Sequence, residues 1–224
     1  MQTYTHYVMT AVINRRLKTR STQRQGAAER EAQPFASLPP LRSGWLLLGS
    51  VLPDIPLTLI FFGTLIADLL QGNVLDPGNE DAAVQSYTGY LFRYAFFRDP
   101  WVKVAHNLFH APFLIVFYLA MGYWLWKRGK AWGTALFWIG CACALHTAID
   151  IPVHYDDGPL IFFPFDWTTR FHSPISYWEQ GRGGGWFTIF EHLLLLGMLI
   201  YLAIGWWQNR RNRRQAVALN PTEE

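Results

Sequence analysis

Two short stretches place groups that bind metals or move protons at helical spacing inside apolar surroundings. "HNLFHA" sets His106 and His110 four residues apart, and "LHTAID" sets His146 and Asp150 four apart. Residues four apart share a helical face, so each pair can aim both groups at one point. Imidazole and carboxylate are good ligands for zinc, iron or manganese. The bland reading is that these are packed, hydrogen-bonded residues, the usual state of a buried histidine. Asp54, in "GSVLPDIP", stands between Pro53 and Pro56. It can cap the helix that resumes there, since Asp is a good N-cap, or it can ligate, and the two roles are compatible. Just beyond Asp150, "HYDDG" adds His154, Asp156 and Asp157. These can complete a ligand set or act as a general base, or form a solvated turn after Pro152.

The elements that must position these groups are apolar. Half of the 224 residues are hydrophobic and 17% are aromatic. The apolar residues gather in four blocks, roughly 45–70, 106–126, 131–153 and 186–207. Each reaches the length of about 20 residues that spans a bilayer core. All nineteen Lys and Arg residues lie outside the blocks. Only Asp54, Asp68, Asp150 and Glu191 among the acids, and His106, His110, His146 and His192 among the histidines, lie inside. Ionisable groups at membrane depth are costly and mark function unless they are otherwise matched. The expected fold is therefore an all-α integral membrane protein with about four transmembrane helices and a polar or metal cluster at one membrane face.

Antiparallel neighbours bring the start of the second block level with the end of the third, so both pairs can meet. Asp54 lies about 14 Å along its block from Trp45 at the helical rise, which leaves it deeper than the other four on a straight span. A break at the prolines, or a re-entrant segment over 45–53, repairs the register. Prolines can break helices at membrane depth where the freed backbone lines a cavity or is buried in protein.

The expected organisation is an amphipathic start and basic flexible segment over 1–43, a helical membrane domain over 44–207, and a basic tail over 208–224. Extramembrane loops are expected at 71–105 and 154–185. Fourteen positive residues fall on the side of the first segment, the 127–130 turn and the tail, against five on the other. The positive-inside rule then places both termini in the cytoplasm. Asp68 reads as a block-end residue in contact with water, and Glu191 as a helix–helix hydrogen-bonding group. Cys141 and Cys143 read as reduced packing residues. Ser173, before Pro174, reads as a turn residue because no Gly-x-Ser-x-Gly surrounds it. "RFHSPISYWE" reads as an interfacial loop with aromatic anchors. His6 belongs by position to a short amphipathic start, where a ligand role is the less expected one.

"THYVMTAVI", "LLLGSVLPDIPL", "HNLFHAPFL" and "LHTAIDIPVHYDDGPLIFFPFDWTTRFHSPISYWE" occur in that order. The order resembles the inner-membrane family described as LexA-binding, inner-membrane-associated, metal-dependent hydrolases, itself distantly similar to zinc-dependent phospholipase C. The resemblance covers about two thirds of the chain. It implies metal ligands at His6, Asp54, His106, His110, His146 and Asp150, a divalent cofactor, zinc before iron or manganese, and a bacterial inner-membrane location. His154 and Asp157, just beyond the helix, are the catalytic candidates by position, and a site at the outer membrane face makes a lipid-like ester or phosphoester the expected substrate. The family's usual His-Arg-Gly before the second histidine of the pair is here "HNLFH".

Two other function classes fit the residues. One is a non-enzymatic accessory subunit of a larger membrane complex with a closed structural metal site. The other is a haem-binding electron carrier with axial histidines from two helices, although no Cys-x-x-Cys-His attachment motif is present. Membrane lipids, and further membrane subunits in the accessory case, are the expected partners, and no nucleic acid is expected.

Overall fold

The computed structural model describes residues 1–28, 38–73 and 86–219. It is all-helical, with no strand among the described residues. Two helices are long and apolar enough to cross a membrane, or four if each of two bent pairs is one span. The chain divides into two units, 1–36 with 176–224, and 37–175. Parts of the expected flexible segment (29–37), of the expected loop (74–85), and of the tail (220–224) lie outside the described residues.

The first unit pairs α1 (Thr3–Ala28) with α8 (Gly184–Leu219). The helices run parallel. The Gln2 backbone N–H donates to Glu191 Oε1 at 2.8 Å, Tyr4 Oη meets His192 Nε2 at 3.1 Å, and Arg15 Nη1 donates to the Leu202 carbonyl at 3.3 Å. Gly205 leaves the space that the Arg15 guanidinium fills, because a Cβ there would overlap it. Arg15 and Arg16 both lie over the Tyr201 ring. α1 stays helical to Ala28, well past Arg20, where the sequence suggests loose structure. That stretch contains Arg, Gln and Ala, which are good helix formers.

The second unit holds α2 (Ser43–Val51), α3 (Ile55–Leu70), α4 (Tyr87–Tyr90), α5 (Pro100–Asn107), α6 (Pro112–Lys127) and α7 (Ala131–Asp150). α4 continues through a π-helical turn at Leu91–Ala95 into Phe96–Arg98. The run therefore puts helix where the sequence reading expects an extramembrane loop. One local and one long-range feature stabilise its start: Ser86 caps it, and the Asp68 carboxylate accepts from the Tyr87 and Thr88 backbone N–H groups at 2.8 and 2.9 Å. Asp68 is fully buried, which corrects the expectation that it meets water. Its two acceptor oxygens satisfy helix N-terminal donors that otherwise lack partners.

α7 is continuous with a short 3₁₀ turn, Ile151–Val153, and forms a 23-residue span candidate. It packs on α2 and α6 through glycines. A Cβ on Gly49 would lie 2.7 Å from the Ile139 carbonyl oxygen, one on Gly122 2.5 Å from the Phe137 nitrogen, and one on Gly133 2.4 Å from the Trp126 nitrogen. Small residues let apolar helices approach backbone to backbone, where dispersion rather than hydrophobic exclusion holds them. The opposite side of α6 shows an exposed stripe of Phe113, Val116, Phe117, Ala120 and Trp124, spaced three or four apart.

The two bent pairs have the same cause. α2 and α3 meet at 46°, and α5 and α6 at 48°. Pro53 has no N–H to give Gly49's carbonyl, and Pro112 has none for Leu108's. Side chains replace both donors: Cys143 Sγ donates to the Gly49 carbonyl at 3.4 Å, and Tyr118 Oη to the Leu108 carbonyl at 2.8 Å. The second break lies inside the block expected to begin at residue 106. A helix does start upstream, at Pro100 with Asp99 as its cap, but it stops at Asn107. Replacing Gly133 by Val should destabilise the detergent-solubilised protein by about 1–3 kcal/mol through overpacking. Gly63→Ala, with nothing within 4 Å of its would-be Cβ, should be neutral in the same thermal melt.

Candidate metal centre

Each break carries one polar residue of interest, and the unbroken helix carries two. Asp54 sits between α2 and α3, His110 between α5 and α6, and His146 and Asp150 one turn apart on α7. These four converge, with one ligand atom from each lying within 4.8 Å of all the others. His146 Nε2 is 3.0 Å from Asp150 Oδ2 and 3.4 Å from Asp54 Oδ1. His110 Nε2 is 3.5 Å from Asp54 Oδ1, 3.7 Å from Asp150 Oδ2 and 3.1 Å from His146 Nε2.

The orientation of both rings is set from behind. His110 Nδ1 donates to the His106 carbonyl at 2.9 Å, and His146 Nδ1 to the Ser50 carbonyl at 2.8 Å. A carbonyl oxygen only accepts, so each Nδ1 carries a proton and each Nε2 is turned inward. With both rings neutral, two Nε2 lone pairs and two carboxylates face one another and a divalent ion between them would match all four; without an ion, an Nε2–H of His146 can meet Asp150 or Asp54 directly. A tetrahedral ion with bonds of about 2.0–2.1 Å needs ligand separations of about 3.3–3.4 Å. The five separations above bracket that value. A divalent ion would also cancel the charge of the two carboxylates. The four residues can therefore hold a metal ion, and the backbone carbonyls behind the imidazoles are the outer partners such ligands use to fix tautomer and tilt.

Other contacts lock the frame. The Thr147 hydroxyl donates to the His110 carbonyl at 3.0 Å, tying α7 to the second break. Asn107, completely buried, donates to the Lys103 carbonyl at 2.8 Å and accepts from the Leu160 N–H at 2.7 Å. It thereby fixes the 154–175 segment to α5. Neither Asn107, Thr147 nor Tyr118 was among the sequence candidates. An Asn between two histidines of an apolar run is the one signal that marked it.

His154 and Asp157 stand at the edge of the cluster. His154 Nδ1 meets Asp157 Oδ1 at 2.9 Å, while His154 Nε2 lies 4.0 Å from Asp150 Oδ1. Their side chains keep 13% and 18% exposure, and that of Asp54 keeps 23%, whereas His146 has none. The centre is thus closed on the α7 side and at His110, and least covered at Asp54 and beside the His154–Asp157 pair. His106 packs its ring on His110 at 4.7 Å and Phe96 at 4.9 Å, outside the group of four. Neither of its ring nitrogens is hydrogen-bonded among the described residues. His6 is buried in α1, in the first unit, while the four-residue cluster belongs to the second.

Ser173 is a turn residue, as expected. Its hydroxyl donates to the Pro152 carbonyl at 2.6 Å and accepts from the Ile175 N–H at 3.1 Å. In the same segment Asp166 accepts from the hydroxyls and backbone N–H groups of Thr169 and Thr168. These bonds hold its carboxyl well below the usual carboxylate range.

No family model, curated protein or solved structure matches the chain. The site has to be argued from its own geometry. His146→Ala should abolish near-stoichiometric divalent metal, measured by elemental mass spectrometry on the detergent-purified protein. Adding zinc to chelator-stripped wild type should raise its melting temperature, while the variant stays unmoved, because only a competent site couples binding to folding.

Proposed function

We propose that the protein is a membrane-embedded, metal-dependent hydrolase of a lipid-like ester or phosphoester. The observation that carries this reading is the His154–Asp157 pair, oriented, partly exposed and pointed towards Asp150 at the rim of a metal-competent cluster. A purely structural ion has no use for a water-accessible imidazole held by a carboxylate.

Asp54, His110, His146 and Asp150 would hold the ion, which supplies Lewis acidity towards an ester or phosphoryl oxygen and acidifies water. The chain's own residues supply the rest. Asp157 Oδ1, 2.9 Å from His154 Nδ1, would hold that imidazole at the rim, and its Nε2, 4.0 Å from Asp150 Oδ1, would take a proton from attacking water. The same nitrogen, once protonated, can return the proton to the leaving alkoxide. The apolar spans exclude bulk water from the buried side, which strengthens each electrostatic interaction there.

Zinc is the favoured ion, from two imidazoles and two carboxylates at near-tetrahedral separations, with iron or manganese as alternatives. The reading retains four crossings, with the basic stretches on the cytoplasmic side of a bacterial inner membrane and the cluster towards the opposite face. The order of motifs that resembles the LexA-binding, inner-membrane-associated hydrolases is consistent with ester cleavage, and within the second unit it would add His106, whose ring packs on His110 at 4.7 Å, as a further ligand.

One observation favours a second reading. Four protein ligands suffice to close a tetrahedral zinc site, as in an accessory subunit whose exposed apolar helices meet partners. For the haem alternative, His110 and His146 cannot serve as the two axial ligands as placed. Their Nε2 atoms are 3.1 Å apart, which leaves no room for a porphyrin plane between them.

Metal-loaded protein in phospholipid vesicles should release product from at least one phosphoester or carboxylic ester lipid. His154→Gln and Asp157→Asn should each retain the metal and lower turnover, by about 10²–10⁴-fold for the histidine. Loaded wild type inert on a broad lipid panel, with His154→Gln indistinguishable from it, would leave the structural-metal reading in front.

A further inference from the structure

The 160–171 segment buries Leu160 and Phe163 but turns three phenylalanines outward. Phe162 is 53% exposed, Phe165 78% and Phe171 49%. Such a row on a loop is unusual in water, and here the loop is also built to keep it. The Leu160 and Arg170 backbones bridge, the Ile161 N–H donates to the Thr169 carbonyl at 3.0 Å, and Asp166 ties down Thr168 and Thr169. Arg170 donates to the Gly158 carbonyl and lies over Phe96. The aromatic row is therefore presented by a fixed frame.

Its position says what covers it. Phe165 meets Phe113 edge to face at 5.1 Å, and Phe113 begins the exposed apolar stripe of α6 that continues through Val116 and Phe117. The loop surface is continuous with the side of a span candidate that only lipid can cover in an isolated chain. The loop is also continuous with the metal centre. Leu160 is held by Asn107, three residues before His110, and the Ser173 N–H donates to the His154 carbonyl at 3.3 Å.

We propose that the 160–171 loop docks into the interfacial layer of the bilayer, extending the lipid-facing side of α6, and delivers substrate to the metal centre from the membrane. The substrate is then a membrane-resident lipid and not a water-soluble ester. Phe and Trp side chains settle at this depth because the apolar ring leaves water while the backbone stays near the headgroups. This deepens the hydrolase reading and rests on it for the word substrate; the docking itself does not.

The test labels Phe165→Cys with an environment-sensitive fluorophore and reconstitutes the protein in phosphatidylcholine–phosphatidylglycerol vesicles. Wild type put through the same labelling gives the background from Cys141 and Cys143, which are half-buried and buried. A probe at Gln215→Cys in the exposed tail is the aqueous reference. Docking is supported if the probe at 165 is quenched by shallow spin-labelled lipid and shielded from iodide, with the reverse at 215. Iodide quenching at 165 as strong as at 215 overturns it. Shielding seen only in native membranes also overturns it, because a protein partner then covers the row.

A second arm uses Phe162→Ser/Phe165→Ser. Hydrolysis of a bilayer-embedded diacyl substrate should fall at least about tenfold, the loss of roughly one buried aromatic anchor. Hydrolysis of a short-chain soluble analogue and metal content should hold. An equal fall on both substrates overturns delivery from the membrane. No turnover by wild type on either substrate defeats the hydrolase reading alone, because the quenching result still decides docking.

Discussion

Two imidazoles and two carboxylates whose ligand atoms lie within 4.8 Å of one another are the constraint that the breaks and close helix contacts of the second unit serve. Such a set is stable in a low-dielectric interior only with a cation among its members. The rings cannot turn away, because His110 Nδ1 is bonded to the His106 carbonyl and His146 Nδ1 to the Ser50 carbonyl. Both carbonyls belong to helix ends beside proline breaks. The carbonyls that aim the ligands, at Ser50 and His106, thus lie one and two residues from those that Pro53 and Pro112 leave without a backbone donor, at Gly49 and Leu108. Cys143 and Tyr118 meet the remaining carbonyls at Gly49 and Leu108. A continuous helix in either position would have satisfied its own carbonyls and left the imidazoles unanchored.

Close helix approach is the second requirement. Asp54 reaches His146 only because α2 lies against α7 at glycine distance, with Gly49 one turn before Pro53. Side-chain length gives about two bonds of reach, so a helix pushed outwards by a single methyl layer would carry the carboxylate out of range of a 2 Å ligand bond. Gly122 and Gly133 do the same between α6 and α7, and hold His110 in place at the head of α6. These glycines sit far from the chemistry, yet they set its tolerance.

Much of this was legible from the sequence, and unevenly so. Apolar length gave two helices able to cross a membrane, Ala131–Val153 and Gly184–Asn212, to within a few residues, whereas the other two blocks are helix pairs bent by 46° and 48°. The pairing of His110 with His146 and Asp150 followed from spacing and antiparallel neighbours, and the Pro53–Pro56 break brought in Asp54 as one of the weighed alternatives. Pro112 was equally visible, yet the break it makes was not foreseen, since proline in the first turn of a helix is also an ordinary start signal. The run from Tyr87 to Arg98 was taken as loop, being too short to span. Its stabilisation comes from Asp68, nineteen residues upstream of Tyr87, and no local pattern encodes that bond. Asp68 itself was placed in water for the same reason: a carboxylate near a block end looks solvated until its partner helix is known.

The contrast between the ligands' surroundings bears on whether an ion here is structural or reactive. Structural sites are closed on every side. On the α7 side this one is closed, with His146, Thr147 and Asp150 all buried. Towards the first break it is not, since Asp54 keeps nearly a quarter of its side-chain surface, and the His154–Asp157 pair lies beyond Asp150. Asp54 heads α3, its carbonyl accepting from the Thr58 N–H at 2.9 Å, so it combines a fixed backbone with the most exposed side chain of the four. Buried ligands on α7 and a partly exposed one at the break would leave an ion held on one side and approachable from the other, which is the geometric difference between an open site and a closed one.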